Sequence, residues 1–454
     1  MNTQIFRKFI RPEPDFSNFN TMKWSKYNYI VNNRDGNYLL YNGFTESLSL
    51  IAKEIKQLLD THRQSIDDIQ RIHPDLYAFL VKKEFVVDDA LNESERVVKT
   101  FEQMEEQDDK FQLIINPTLD CNLRCWYCYE KHSKETAMPD NTMQAIKELI
   151  RNLTEKPNIR HLNLSFFGGE PLLGFRDRVR PLVEYADKQC SETGKTLNFA
   201  FTTNGVLLTR QATDFLTSFG RHLFLQIPFD GSRDLHNSIK KFSNGRGTYD
   251  RTLENIRYAL GKGAQVSVRC NYTDNNAESF KELIRSFESI PEEEKKQLSF
   301  SFHRVWQTSA RQNTERVIRK TERLATKLGI RHTSNHLSKM RCYADSKNSI
   351  VVNWNGDIYK CTARDFLPEL KEGDLHPDGT ITYNERYQDR MEMRHTNKAC
   401  LACNIFPLCS SCTQDQLELF DADTCPRHHS GAEKRAMIIE RILAISTGTL
   451  IDHA

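Results

Sequence analysis

Apolar and polar positions alternate through the middle of the chain, from Phe111 to Trp306, in six short runs: FQLIINP, HLNLSFF, LNFAFTT, LFLQIPF, AQVSVRCNYT and LSFSFHRVW. Each predicts a β-strand, and the longer amphipathic intervals predict helices. Strands alternating with helices imply a parallel sheet with crossover connections, hence an α/β fold over 111–310. Six repeats fall short of the eight that close a full barrel, so a partial (β/α)6 barrel is expected, with its chemistry at the C-terminal strand ends. Upstream, YNYIVNNRDGNYLLYN reads as a β-hairpin turning at Asn-Arg-Asp-Gly-Asn. Leu48, Ile51, Ile55, Leu58 and Leu59 recur at helical spacing up to Asp60, and HPDLYAFLVKKEFVVDD reads as a helix entering a strand at Phe85–Val87. This order predicts a small winged-helix-like unit over 1–95.

Nine acidic side chains between Val86 and Lys110 stand against Arg96 and Lys99, which predicts a solvated helix or linker at 96–110. From Arg304 to Arg341 the bias reverses, with ten Lys/Arg against Glu315 and Glu322, and a basic bridging helix is expected at 311–340. GAEKRAMIIERILAIS predicts a closing amphipathic helix within 431–454. The 454 residues carry 63 basic and 61 acidic side chains, a net charge of +2, with 38% hydrophobic and 27% charged residues. That balance describes a globular chain of two or three domains and provides no long-range attraction to nucleic acid or to an anionic membrane. No run of eighteen apolar residues occurs, and the first residues lack a secretory pattern, so a cytoplasmic location is expected. Twelve cysteines are then better read as metal ligands or redox centres than as disulfides.

Immediately after the first strand stands Asp120-Cys121-Asn122-Leu123-Arg124-Cys125-Trp126-Tyr127-Cys128, a C-x3-C-x2-C spacing on a loop. Three thiolates suit an iron–sulfur cluster or zinc, and three without a fourth leave a coordination position open. The second strand ends in Phe167-Gly168-Gly169-Glu170-Pro171, the third in Thr202-Thr203-Asn204-Gly205 and the fourth in Phe229-Asp230-Gly231. Glycines admit close backbone approach, and a carboxylate at Glu170 can accept hydrogen bonds from an ammonium group. Together these motifs resemble the radical S-adenosylmethionine (SAM) enzymes. The resemblance implies a [4Fe-4S] cluster on Cys121, Cys125 and Cys128 whose fourth iron chelates SAM, and reductive cleavage to a 5′-deoxyadenosyl radical. It also implies cofactor contacts from Tyr127, Gly168, Gly169 and Glu170. Where related maturases carry Ser and Arg, this chain has Pro228 and Lys240; Lys240 keeps the charge without the arginine fork, and Asn204 or Gln226 would supply the missing polar contact.

Seven later cysteines follow as Cys342-x18-Cys361, then Cys400-x2-Cys403-x5-Cys409-x2-Cys412, then Cys425. The paired C-x2-C knuckles alone would fit one zinc ion, leaving three cysteines over, whereas two cubane clusters use all seven with one open position. With Gly356-x4-Cys361, this pattern over 341–430 resembles the SPASM extension of radical SAM enzymes that modify peptides. The resemblance implies two auxiliary [4Fe-4S] clusters, one on Cys342, Cys361 and Cys412, the other on Cys400, Cys403, Cys409 and Cys425. Cys190 and Cys270 read as buried small hydrophobes.

The resemblance implies a polypeptide substrate. Sulfatase-maturating relatives place an Asp after the Gly-x4-Cys cysteine as base; here Thr362 stands there, which counts against formylglycine formation. The N-terminal unit resembles the precursor-recognition domain of maturases of ribosomally made peptides, which takes a leader peptide as an added strand. The implied function is a peptide maturase forming a thioether or carbon–carbon crosslink, supplied with electrons by a donor such as flavodoxin or ferredoxin. The alternatives are a sulfatase-maturating enzyme and a non-catalytic iron–sulfur or zinc scaffold.

Overall fold

The computed structural model describes residues 21–33, 35–308, 312–333, 341–409, 411–419 and 423–447. They fall into two compact units, one within Met1–Thr100, Ala402–Leu408 and Lys434–Thr449, the other within Phe101–Leu401, Cys409–Glu433 and Leu450–Ala454.

The first unit begins with β1 (Met22–Trp24), β2 (Asn28–Asn32), β3 (Tyr38–Asn42) and β4 (Leu48–Ile51), and its β5 is Val86–Asp88. Strands β2, β3 and β4 form an antiparallel sheet in that order, and β1 pairs with β5. The expected hairpin is β2–β3, turning at Gly36, whose φ of +78° suits a residue without Cβ. The helix expected from Leu48 starts later, at Lys53, and runs to Thr61. Leu48 and Ile51 are three apart, a helical spacing, but here they pair with Tyr41 and Tyr38 across the sheet. Helix Pro74–Lys82 starts where sequence places Pro at its first turn, and His73 Nδ1 accepts from Leu76 N at 3.2 Å. Leu40, Ile51, Leu59, Ile69, Tyr77, Leu80 and Phe85 close the core. The closing helix is Gly431–Thr447, and its tail after 447 lies outside the described residues. Its Arg441 is buried, donating through Nε to Tyr41 Oη at 3.1 Å and paired with Glu46.

The acidic stretch forms a helix, Glu93–Glu106, and the division between the two units falls within it, after Thr100. Val97 and Phe101, four residues apart, are buried, and burial of that stripe outweighs the acidic composition.

The second unit is built on β6 (Lys110–Ile115), β7 (His161–Phe166), β8 (Thr196–Thr202), β9 (His222–Phe229), β10 (Gln265–Tyr272), β11 (Leu298–Arg304), β12 (Arg331–Thr333), β13 (Ser349–Val352), β14 (Asp357–Tyr359), β15 (Gly373–Leu375) and β16 (Ile381–Tyr383). They form one mixed sheet in the order β12-β11-β10-β9-β8-β7-β6-β13-β14-β15-β16. Strands β6 to β12 are parallel, β13 joins β6 in parallel, and β13 to β16 run antiparallel. The basic segment holds helix Gln312–Lys327 and then β12, because Gly329 at φ +74° ends the helix and Ile330 turns into the core; residues 334–340 lie outside the described residues.

Alternation along the strands sorts the two faces. Leu162, Leu164 and Phe166 of β7, with their counterparts Phe199, Leu225 and Val268, pack against helices such as Asp140–Glu155 and Arg180–Thr193. Each fully buried side chain of this kind contributes about 1.5–3 kcal/mol. The opposite face carries Asn163 bonded to Asn198, Gln112 bonded to Ser165, and Gln226, Arg269 and Asn271. A polar sheet face next to strand C-termini is where a ligand can be held. Among the described residues, no helix is long and apolar enough to cross a membrane.

Candidate active site

The segment leaving β6 is fixed before it reaches its first cysteine. Leu119 N donates to Thr136 Oγ1 at 2.9 Å, Asp120 N to Thr118 Oγ1 at 3.0 Å, and Cys121 N to Asp120 Oδ1 at 2.8 Å. The Gly168-Gly169 pair explains the next restraint. Its backbone lies so close to this loop that a Cβ on Gly168 would meet the Thr118 carbonyl oxygen at 2.4 Å, and one on Gly169 the Asp120 oxygen at 2.2 Å. The glycines therefore admit the cysteine loop itself. Gly169→Ala must displace Asp120, the residue before Cys121, and overpacking of this kind costs about 1–3 kcal/mol. The expected outcome is a loss of about tenfold or more in SAM cleavage, with lower iron retention; 5′-deoxyadenosine release and iron content check it.

Glu170 is fully buried. Its Oε1 accepts from Leu172 N at 3.0 Å and Thr203 Oγ1 at 2.7 Å, and its Oε2 from Asn204 N at 2.8 Å. Burial pushes its carboxyl up to about 7 while the three donors pull the other way. Its carboxylate, expected from the sequence to meet an ammonium group, here joins the ends of β7 and β8. That joint aims Asn204, whose Nδ2 donates to Asn122 Oδ1 at 2.7 Å and lies 3.7 Å from Cys121 Sγ.

Tyr127 points its hydroxyl inward, donating to Asp230 Oδ1 at 2.6 Å and accepting from Asn271 Nδ2 at 3.1 Å. Lys240 Nζ lies 2.5 Å from Asp230 Oδ2 and also contacts the Tyr127 hydroxyl. Both ions are buried. Burial disfavours the Lys240 charge, but Asp230 and Tyr127 more than offset that and hold its pKa well above the lysine range. Lys240 thus has an internal counter-ion, and helix Arg233–Ile239 folds the chain back to bring it there. Gln226 lies half-buried on the polar face of β9, opposite Thr202 and Ser267 on the neighbouring strands.

The three thiols of the loop are free and within electrostatic reach of one another. Burial raises the pKa of Cys121, Cys125 and Cys128, the last to about 11, so a coordinating cation is what would make them thiolates. Leu123 N points at Cys121 Sγ, 3.4 Å away, and the buried Asn122 Nδ2 has no protein partner. A donor set of three thiols, with an amide hydrogen on sulfur and a spare buried donor beside it, fits an iron–sulfur cluster with an open position.

The same unit carries the later cysteines except Cys403. The Gly-x4-Cys motif acquires a structural reason: Gly356, at φ +91°, turns the β13–β14 hairpin, and β14 delivers Cys361. Cys361 and Cys342, each pushed up to about 11 by burial, and Cys412, pushed up to about 12, are within electrostatic reach of one another. Ala363 N and Asp415 N point at Cys361 Sγ (3.3 Å) and Cys412 Sγ (3.4 Å). Arg364 braces this loop against the helix after Cys412, through Asp415 at 2.6 Å and Glu418 at 2.8 Å. Arg341 lies within reach of Cys342, Cys400 and Cys409 and donates to the Cys409 carbonyl at 3.1 Å. Asn397, next to the helix holding Cys400, donates to Thr424 O at 3.1 Å beside Cys425. Cys403 belongs to the first unit, within electrostatic reach of Lys26 and Tyr29. Cys190 and Cys270 are buried in the core. Among the described residues, no three His, Cys, Asp or Glu side chains close on a single-ion position.

Two links between the cysteine loops escape sequence reading. Tyr129 Oη donates to Thr362 O at 2.7 Å, and Lys131 N to Asp365 Oδ1 at 3.1 Å, tying the end of the first cysteine loop to the segment after Cys361. Glu130, between them, is buried with Oε2 unpartnered, and burial beside Asp365 pushes its carboxyl up to about 8. Side-chain-to-carbonyl contacts across more than 200 residues leave no periodicity to find. Asn271 and Arg269 did leave one, in the Ser-x-Arg-x-Asn alternation of β10.

Residues 115–287 match a family model described as the Radical SAM superfamily. The radical SAM cyclopropyl synthase TigE of Paramaledivibacter caminithermalis is 25% identical over 255 residues, covering 48% of this chain and 52% of that relative, so the match spans about half the relative's length. Among solved structures, native anSMEcpe with bound AdoMet and Cp18Cys peptide superposes with a TM-score of 0.58 at 17% identity, covering 75% of this chain and 100% of that one. Streptococcus suis SuiB bound to S-adenosylmethionine superposes with a TM-score of 0.51 at 15% identity, over 90% of this chain and 99% of SuiB. At such identities, the likeness speaks for the fold.

Proposed function

We propose that this chain, an enzyme that belongs to the radical SAM superfamily, matures a ribosomally made precursor peptide by abstracting a hydrogen and installing a thioether or carbon–carbon crosslink. The observation that carries the reading is the second cysteine set, Cys342, Cys361 and Cys412, built onto the same sheet as the first and tied to it through Tyr129 and Lys131. Crosslinking removes two hydrogens from the substrate and obliges electrons to leave, which gives auxiliary clusters a task. TigE, a cyclopropyl synthase, and the peptide-bound anSMEcpe structure support the same direction.

In this reading Cys121, Cys125 and Cys128 hold the SAM-binding [4Fe-4S] cluster. One auxiliary cluster rests on Cys342, Cys361 and Cys412, the other on Cys400, Cys403, Cys409 and Cys425. When bound and reduced by a donor such as flavodoxin or ferredoxin, the first cluster and SAM supply a 5′-deoxyadenosyl radical. The chain's own part is positional. Gly168 and Gly169 seat the cysteine loop, Asn204 and Gln226 offer polar contacts to the cofactor, and Asp230 with Lys240 fixes the Tyr127 ring. Glu170 holds Asn204 in place from behind. The sheet β2-β3-β4 has β2 and β4 at its edges, and Leu50 of β4 is exposed; an edge of this kind accepts a leader peptide as a further strand.

Co-expression with a candidate precursor, any short peptide encoded beside the gene, tests the proposal. A peptide lighter by two hydrogens is expected with the intact enzyme and an unchanged peptide with Cys121→Ala. An unchanged mass with the intact enzyme, while 5′-deoxyadenosine is released, would exclude that peptide crosslink.

A further inference from the structure

Strand β10 sends Val266, Val268 and Cys270 into the core and leaves Ser267, Arg269 and Asn271 on the polar face. On β11, in parallel register, Ser301 stands beside Arg269 and His303 beside Asn271. Arg269 Nε donates to Asn271 Oδ1 at 3.1 Å, and among the described residues its guanidinium has no carboxylate partner. The groups within its electrostatic reach are the phenols of Tyr127 and Tyr129 and the His303 ring. None of these is a carboxylate. His303 Nε2 lies 2.5 Å from Ser301 Oγ, and burial with the nearby Arg269 charge holds its pKa at about 3, so it remains neutral. The neighbouring Asp230 is already matched by Lys240. Arg269 is half-buried, and burial pulls its pKa below the arginine range.

A cation that has lost part of its hydration gains from a counter-charge. Arginine's planar fork is shaped for a carboxylate, which it binds through two parallel hydrogen bonds. We infer that Arg269 is a receptor for a carboxylate of the substrate, held over β10 and β11 beside Tyr127 and Tyr129. On the peptide-maturase reading, from which this follows, the group is an Asp or Glu side chain or the C-terminus of the precursor. The methionine carboxylate of SAM is a second source of the same chemistry. The SAM-affinity arm of the test below separates the two sources. Tyr129 leads outward from Arg269, because its ring stacks on the exposed Trp306 with centroids 5.7 Å apart.

The test uses the full chain, anaerobically reconstituted and saturated with SAM, titrated calorimetrically with N-acetyl-Gly-Asp-Gly-amide, its Asn counterpart, and succinate. Wild type is expected to bind the Asp peptide about tenfold more tightly than the Asn peptide, the value of one charge-assisted contact. Arg269→Gln should reduce that preference to within about twofold, and Arg269→Lys, which keeps the charge without the fork, to about threefold. SAM affinity and iron content should stay within about twofold of wild type in both variants. Equal binding of the two peptides by wild type, together with no Arg269-dependent binding of succinate, would overturn the inference. So would a loss of about tenfold in SAM affinity in either variant, which would assign the guanidinium to the cofactor. Binding of succinate that depends on Arg269, with neither peptide bound, would uphold the carboxylate receptor and refute the peptide reading. Should Arg269→Gln fail to fold, Arg269→Lys decides alone.

Discussion

Cys121→Ala is expected to bring 5′-deoxyadenosine release down to the level of a protein-free control while most of the iron stays bound. On the proposed three-cluster reading the chain holds about twelve iron atoms, and loss of the first cluster leaves about eight. The reason is local. Cys121 follows the residue clamped by Gly169 and its sulfur faces Leu123 N and Asn204 Nδ2, whereas the links to the segment after Cys361 are made at the other end of the loop, by Tyr129 and Lys131. Iron analysis with electron paramagnetic resonance of the reduced protein separates the clusters. Retained cleavage would place the catalytic cluster elsewhere.

Lys240→Met carries the second large effect. Asp230 is fully buried and Lys240 nearly so, and the pair is reinforced by the Tyr127 hydroxyl. Removing one member of such a pair leaves a buried charge uncompensated and costs about 3–5 kcal/mol, more than the pair itself contributes relative to an apolar replacement. Urea unfolding of the iron-free protein is expected to show that loss, and combining Lys240→Met with Asp230→Asn should recover part of it. Release of Tyr127 should lower SAM cleavage in the reconstituted single variant. If Lys240 served the cofactor alone, the variant would bind SAM weakly yet unfold like wild type.

Parallel strands β6 to β11 of the second unit were legible because each buries one face: Leu162-Leu164-Phe166 against Asn163-Ser165 is a period of two that no helix shares. Their limits agree with the structure to within one or two residues. Strands β13 to β16 were not legible, since three or four residues are too few for a period, and β13 is buried on both faces. Leu48 was misread because its i, i+3 spacing to Ile51 continues the helical pattern that follows, and four residues are too few to show a strand's period of two. At the site, the positions of Cys121, Gly169, Glu170 and Asn204 were readable as motifs; what each touches was not. Gly169 serves the carbonyl of Asp120, and Glu170 serves donors from β8 and from its own turn. Asp230 and Lys240 stand ten residues apart, a distance that pairs them only because the intervening helix reverses the chain. Arg269 was visible as a polar position in an alternating strand, but its lack of an acidic partner is a property of the folded neighbourhood.

The measurement closest to the central claim follows one hydrogen. A candidate precursor encoded beside the gene, prepared fully deuterated at carbon, is incubated anaerobically with reduced, reconstituted enzyme and SAM, and the 5′-deoxyadenosine is analysed by mass. Deuterium in the product nucleoside, matched by loss of deuterium from the peptide, is the predicted result. Abundant 5′-deoxyadenosine without deuterium, from an enzyme saturated with that peptide, would contradict hydrogen abstraction from a precursor peptide.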